Sequence, residues 1–82
     1  MTPQQVADLI RKSIPGATVE VRSGDNVHFE SRVVSAEFAG KRPLQRHQLV
    51  YKALGDLMGG EIHALSIEAL TPEELQHASR SA

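Results

Sequence analysis

The feature that most constrains this 82-residue chain is a short turn between two segments that alternate apolar and polar residues. The turn is Gly24-Asp25-Asn26, a sequence typical of tight reversals. Before it, Ala17, Val19 and Val21 alternate with polar residues, which is the period of a half-buried strand. A second strand is expected from about Val27 to Ala36. Because the connection is so short, the two strands must pair antiparallel.

Two capping patterns mark where helices begin. Thr2 precedes Gln5 by three residues, with Pro3 at the favoured first helical position, so a helix is expected that ends before Pro15-Gly16. The stretch Thr71-Pro72-Glu73-Glu74 repeats the pattern and predicts a short last helix.

A helical crossover is expected between the second and third strands. After a break at Phe38 to Arg42, Pro43 is placed to open a second helix, which Gly59-Gly60 closes. A third strand is predicted from about Glu61 to Leu70, and a crossover of this length favours a parallel pairing with the second strand. The sequence therefore predicts one α+β domain over residues 1–82, ordered α-β-β-α-β-α. Its mixed sheet has three strands, with the helices mainly on one face and a flexible tail at 79–82.

Composition excludes several classes of function. The chain has no cysteine, so disulfides, thiolate nucleophiles and metal sites built from its own sulfur are ruled out. Its formal net charge is −1, which gives no overall attraction to nucleic acid or to an anionic membrane. We find no membrane-spanning run, no signal pattern and no catalytic constellation, so a non-enzymatic cytoplasmic protein without membrane attachment is expected.

Two of the four histidines gain interest from the predicted topology. His28 and His63 lie near the starts of the second and third strands, which share one end of the sheet if those strands are parallel neighbours. Two imidazoles could there face one external metal centre. Strict alternation, however, points them to opposite faces, so convergence requires His28 to belong to the loop and not to the ladder. The alternative for each histidine is a structural or solvated role, which is also our interpretation of His77.

A basic segment surrounds the start of the second helix. Lys41, Arg42 and Arg46 lie near a helix N-terminus, whose free amides also attract anions. This pattern is compatible with phosphate binding, but it is more typical of a solvated helix start with ordinary surface cations. Aromatic side chains for base stacking are scarce and are not interleaved with the basic residues.

These segments together resemble one known family. The stretches that carry the resemblance are Val33-Val34-Ser35-Ala36-Glu37-Phe38-Ala39-Gly40-Lys41, Leu44-Gln45-Arg46-His47-Gln48-Leu49-Val50-Tyr51, Ile62-His63-Ala64-Leu65-Ser66-Ile67 and Thr71-Pro72-Glu73-Glu74. They are similar to the BolA family, in the branch that bears histidine where other branches carry cysteine. The resemblance covers nearly the whole chain.

The resemblance implies a class II KH-like fold and a non-enzymatic adaptor that works with a monothiol glutaredoxin. In such heterodimers a 2Fe–2S cluster is shared, with sulfur from the glutaredoxin cysteine and from glutathione, and with histidine from the BolA-like protein. His63 matches the family's C-terminal histidine ligand, and His28 matches its loop histidine. No cofactor is then expected in the isolated chain, and the implied role is iron–sulfur cluster trafficking or iron sensing.

The same resemblance supports a second function, DNA binding for transcriptional regulation in a stress response. Lys41, Arg42 and Arg46 would then contact phosphates, with His47 as a further candidate; packing or helix capping is the alternative for Arg46 and His47. The Gly-x-x-Gly loop of a nucleic-acid-binding KH domain is not matched, since Pro43 follows Gly40-Lys41-Arg42. A third possibility is a structural interaction module whose histidines bind nothing. Homodimerisation without a partner is left open.

Overall fold

The structure, a computed structural model, describes residues 1–80 and has the predicted order of elements. The elements are α1 (Pro3–Ser13), β1 (Thr18–Arg22), β2 (His28–Val34), α2 (Pro43–Leu54), β3 (Ala64–Leu70) and α3 (Pro72–Arg80), with 3-10 turns at Ala36–Phe38 and Gly55–Leu57. Residues 81 and 82, the end of the predicted flexible tail, lie outside the described residues. No helix of the described part is long and apolar enough to cross a membrane.

The three strands form one mixed sheet in the order β1-β2-β3. The pairing of β1 with β2 is antiparallel and that of β2 with β3 is parallel, which confirms both predictions. In the parallel pair, His28 is the register partner of Ala64, and Phe29 is that of Leu65. Both strand starts therefore lie at one end of the sheet.

The hydrophobic core lies between the sheet and the helices α1 and α2. Its fully buried side chains include one aromatic residue, Phe38, and a set of aliphatic ones: Val6, Ile10, Val33, Val50 and Ile62. From His28 to Val33, alternate residues of β2 are buried and the residues between them are exposed on the other side of the sheet, and Val34 at the end of the strand is buried as well. That other side carries the ion pairs Arg22–Glu30 and Arg32–Glu68, at 3.6 and 2.5 Å.

Both predicted capping patterns are present. The Thr2 hydroxyl accepts a hydrogen bond from the Gln5 backbone N–H at 3.2 Å, and the Gln5 side chain accepts one from the Thr2 N–H at 2.9 Å. At α3, the Thr71 hydroxyl accepts from the Glu74 N–H at 3.1 Å, and the Glu74 carboxylate accepts from the Thr71 N–H at 2.8 Å. These reciprocal bonds satisfy amides that a helix start leaves unpaired.

Three element boundaries differ from the sequence prediction. Strand β2 ends at Val34, two residues before the predicted Ala36, because Ser35 caps the 3-10 turn that begins at Ala36. Helix α2 ends at Leu54 instead of continuing toward Gly59, because Gly55 adopts a backbone conformation with φ 54° and ψ −129° that breaks the helical path. Strand β3 begins at Ala64, three residues after the predicted Glu61. The residues before it form a turn in which the Gly59 N–H donates to the Ile62 carbonyl at 2.8 Å.

Candidate functional site

Two exposed imidazoles lie together at the end of the sheet where β2 and β3 begin. The ring centroids of His28 and His63 are 5.9 Å apart, with their planes at 68° in an edge-to-face arrangement. Both residues are exposed, and the His28 side chain keeps 63% of its accessible surface. Both side chains are therefore accessible from solvent.

The rings meet for a different reason from the one that the sequence indicated. We expected convergence only if His28 left the ladder, and that expectation is wrong: His28 is the first residue of β2 and pairs with Ala64. His63 instead lies one residue before β3. The Val27 carbonyl accepts hydrogen bonds from both the His63 N–H, at 2.8 Å, and the Ala64 N–H, at 3.3 Å. Strict alternation therefore does not apply at His63.

The turn before β2 holds His28 by its side chain as well as by its backbone. The Asp25 Oδ2 atom lies 2.7 Å from His28 Nδ1, and Asp25 Oδ1 accepts from the N–H groups of His28 and Val27 at 2.8 and 3.0 Å. These backbone bonds, together with the imidazole bond, hold the pKa of Asp25 well below its ordinary value. The Ser23 hydroxyl closes the turn by donating to the His28 carbonyl at 2.6 Å.

The donor set fits a metal group that is completed by another molecule. Two neutral imidazoles are good ligands for iron, and both are accessible. No group of three or more His, Asp or Glu side chains that could hold a metal ion occurs among residues 1–80. Because the chain also lacks cysteine, any sulfur ligands must come from a partner. A shared iron–sulfur cluster meets both conditions.

Arg46 takes the packing role that was left open for it. Its guanidinium donates to the Lys41 carbonyl at 2.9 Å, to the Ala69 carbonyl at 3.0 Å and to both carboxylate oxygens of Glu74, at 2.6 and 3.2 Å. The side chain is only 11% exposed and also lies 5.8 Å from the centre of the Phe38 ring. The hydrogen bonds from Arg46 and from the Thr71 N–H lower the pKa of Glu74 to about 2. Arg46 thus joins α2, β3 and α3.

The remaining basic residues differ from Arg46 in exposure. Lys41 and Arg42 are exposed, although the Lys41 ammonium donates to the Glu37 carbonyl at 2.6 Å. His47 is half-buried on α2, next to Arg46. Since Arg46 contacts Ala69 near the end of β3, this basic segment lies at the opposite end of the sheet from His28 and His63. The structure therefore separates the two groups of candidate residues.

Comparison with known proteins identifies the fold family. The family model described as BolA-like protein matches residues 3–74. The chain belongs to the BolA family. A protein of the rpoN-murA intergenic region of Acinetobacter guillouiae is 40% identical over 80 residues, which cover 96% of this chain and 95% of that protein. Human BolA-like protein 1 is 47% identical over 60 residues, but the matched part covers 73% of this chain and only 44% of the human protein.

Solved structures agree with this BolA assignment. A BolA homologue from Coxiella burnetii matches with a TM-score of 0.77 at 38% identity, covering 93% of this chain and 97% of that one. Yeast Fra2 matches with a TM-score of 0.75 at 34% identity over 92% of this chain and 84% of Fra2. Among relatives, the protein from Vibrio cholerae named DNA-binding transcriptional regulator BolA is 43% identical over 60 residues, which cover 73% of this chain and 57% of that protein. None of these names describes an enzymatic activity.

Sequence reasoning assigned Asp25 only to a turn and missed its contact with the candidate ligand in this BolA chain. A signal was available, since Asp25 precedes His28 by three residues within a turn sequence. An aspartate at that spacing can reach both the backbone amides and the side chain that follow it. The contact of the Ser23 hydroxyl with the His28 carbonyl was missed as well.

Proposed function

We propose that this BolA-family chain is an adaptor that binds a monothiol glutaredoxin and co-ligates a 2Fe–2S cluster through His63 and His28. The observation that carries the proposal is the pair of exposed imidazoles, with ring centroids 5.9 Å apart, at the start of two neighbouring parallel strands. The iron–sulfur role follows from the family resemblance, and the cytoplasmic location from the sequence, in which we find no membrane-spanning run and no signal pattern. They are proposals for this chain.

The chemistry of the donor set supports a shared cluster over a metal site of this chain alone. The chain supplies imidazole nitrogen and no sulfur, so the glutaredoxin cysteine and glutathione would complete the ligands. Imidazole is neutral where thiolate is negative, and replacing thiolate by imidazole raises the reduction potential of an iron–sulfur centre. An exposed site suits a cluster that is handed on to, or sensed by, other proteins.

The proposal is tested by titrating the chain into cluster-loaded monothiol glutaredoxin while visible absorption and circular dichroism are recorded. The spectrum should change up to a one-to-one ratio for the natural chain. His63→Ala and His28→Ala should each alter or abolish that change. His47→Gln is the matched control, because it removes an imidazole at the other end of the sheet, and its titration should follow the natural chain. An unchanged spectrum with the natural chain at micromolar concentration contradicts the proposal.

DNA binding is the second candidate, and two observations favour it. Lys41 and Arg42 are exposed just before α2, and a relative bears the name of a DNA-binding regulator. The internal contacts of Arg46 leave few cations for phosphates, and binding through so few should fall steeply with added salt. If duplex DNA binds, Lys41→Ala should reduce by about one the slope of the logarithm of the binding constant against the logarithm of the salt concentration. A binding constant that Lys41→Ala and Arg42→Ala leave unchanged would exclude this segment as the contact surface.

A further inference from the structure

Asp25 contacts His28 with both of its carboxylate oxygens, and the two oxygens have different partners. Oδ1 accepts from the backbone N–H groups of Val27 and His28, which fixes the carboxylate plane against the turn. Oδ2 is left to face the imidazole at 2.7 Å from Nδ1. The carboxylate is thus held by the backbone while it holds the ring.

This arrangement selects one tautomer of the imidazole. A carboxylate only accepts hydrogen bonds, so the ring nitrogen that faces it must carry hydrogen. The hydrogen of neutral His28 is therefore on Nδ1, and the lone pair is on Nε2. Within the described part of the chain, Nε2 has no hydrogen-bond partner. A histidine ligand held in this way by a carboxylate is a recurring arrangement around protein-bound metals.

We infer that Asp25 is a positioning residue that holds His28 in the Nδ1–H tautomer, so that Nε2 is the atom presented to the metal group. The inference deepens the proposed function and rests on it for the identity of that group. It assigns no such carboxylate to His63, whose backbone is fixed by the Val27 carbonyl instead. The two imidazoles are then unequal ligands: the orientation of the His28 ring is fixed before binding, and that of the His63 ring is not.

The first test needs neither partner nor metal. Long-range proton–nitrogen correlation spectra of the isolated, nitrogen-15-labelled chain, recorded at mildly alkaline pH, distinguish the two tautomers. The natural chain should show His28 with hydrogen on Nδ1. In Asp25→Asn the amide oxygen can keep the two backbone bonds while the amide nitrogen faces Nδ1 and donates to it. The variant should therefore show the other tautomer, with hydrogen on Nε2.

Glu30→Gln is the matched control. It removes a carboxylate from β2, the strand that also contains His28. That carboxylate pairs with Arg22 and not with His28. The His28 tautomer should stay as in the natural chain. A natural chain with hydrogen on Nε2, or an Asp25→Asn variant with an unchanged tautomer, overturns the inference whether or not glutaredoxin binds. Because the spectrum of the natural chain can by itself overturn the inference, the test does not depend on whether Asp25→Asn folds.

The second test uses the full chain with cluster-loaded glutaredoxin. Loss of an outer carboxylate usually weakens metal binding about 10- to 100-fold, so Asp25→Asn should weaken formation of the mixed complex by that factor while Glu30→Gln does not. Equal titrations for Asp25→Asn and the natural chain would overturn the positioning role. If the natural chain itself gives no mixed complex, the proposed function fails, while the tautomer spectra still decide the role of Asp25 in the free chain.

Discussion

At the scale of single residues, Arg46 shows how burial changes the role of a charged side chain. A guanidinium beside other cations in the sequence suggested phosphate contact, whereas the folded chain surrounds it with two carbonyls, one carboxylate and the Phe38 ring. No buried side-chain nitrogen or oxygen of residues 1–78 lacks a partner, and each of the three guanidinium nitrogens of Arg46 donates to a group inside the molecule. The role of the Arg46 side chain is therefore structural.

Arg46→Met should destabilise the chain by about 1–3 kcal/mol, because it removes the side-chain donor to the half-buried Ala69 carbonyl and the partner of Glu74. Urea unfolding followed by circular dichroism measures the loss. Arg42→Met, at an exposed position of the same basic segment, should change the free energy of unfolding by at most about 0.5 kcal/mol. Equal effects of the two substitutions would contradict the structural role of Arg46.

Glu74 should make stability depend on acid. Its pKa is 4.5 before perturbation and about 2 in the folded chain, chiefly through the Arg46 hydrogen bond. Because the folded value is the lower one, the stabilising contribution is complete above about pH 5 and is lost as the pH falls toward 2. The difference in thermal midpoint between the natural chain and Glu74→Gln should shrink across this window. A difference that stays constant would show that the carboxylate charge is not what stabilises the fold.

At the scale of elements, local patterns predicted the helix caps, the hairpin and the parallel crossover, since each follows from a few neighbouring residues. The sequence did not predict where α2 ends or where β3 begins, because Gly59-Gly60 is as good a stop as Gly55 on composition alone. Phe38 was assigned to a break, yet it is completely buried. Its burial depends on how the Ala36–Phe38 turn packs against the rest of the core, which no local pattern contains.

Gly55 provides the test at this scale. Its φ of 54° with ψ of −129° is a conformation that side chains with a Cβ rarely adopt, and an added Cβ would meet no atom within 4 Å. Gly55→Ala should therefore cost about 1–3 kcal/mol through backbone strain alone. Gly24→Ala is the matched control, because its site is equally open and its φ is not positive; its effect should stay within about 0.5 kcal/mol. Equal unfolding midpoints for both variants would contradict the claim that the backbone conformation of Gly55 is what ends α2.

At the scale of the whole molecule, the residues that stabilise the fold through the Arg46–Glu74 pair lie apart from the candidate site. The Arg46–Glu74 pair ties α2 to α3 beyond the last residues of β3, and the two imidazoles lie at the first residues of β2 and β3. Substitutions at the exposed histidines should consequently leave the unfolding free energy within about 0.5 kcal/mol of the natural value. Pairing of the strand starts was predictable from topology, whereas the meeting of the rings was not, since it depends on the irregular backbone at His63.

The most direct test asks whether a nitrogen of this chain is bound to the cluster iron. The chain alone is labelled with nitrogen-15, mixed with unlabelled, cluster-loaded monothiol glutaredoxin, reduced, and studied by pulsed electron paramagnetic resonance. We expect nitrogen-15 couplings of the strength of a directly bound imidazole, and we expect His63→Ala to remove or change them. A reduced mixed complex that shows no nitrogen-15 coupling of that strength would contradict histidine ligation by this chain.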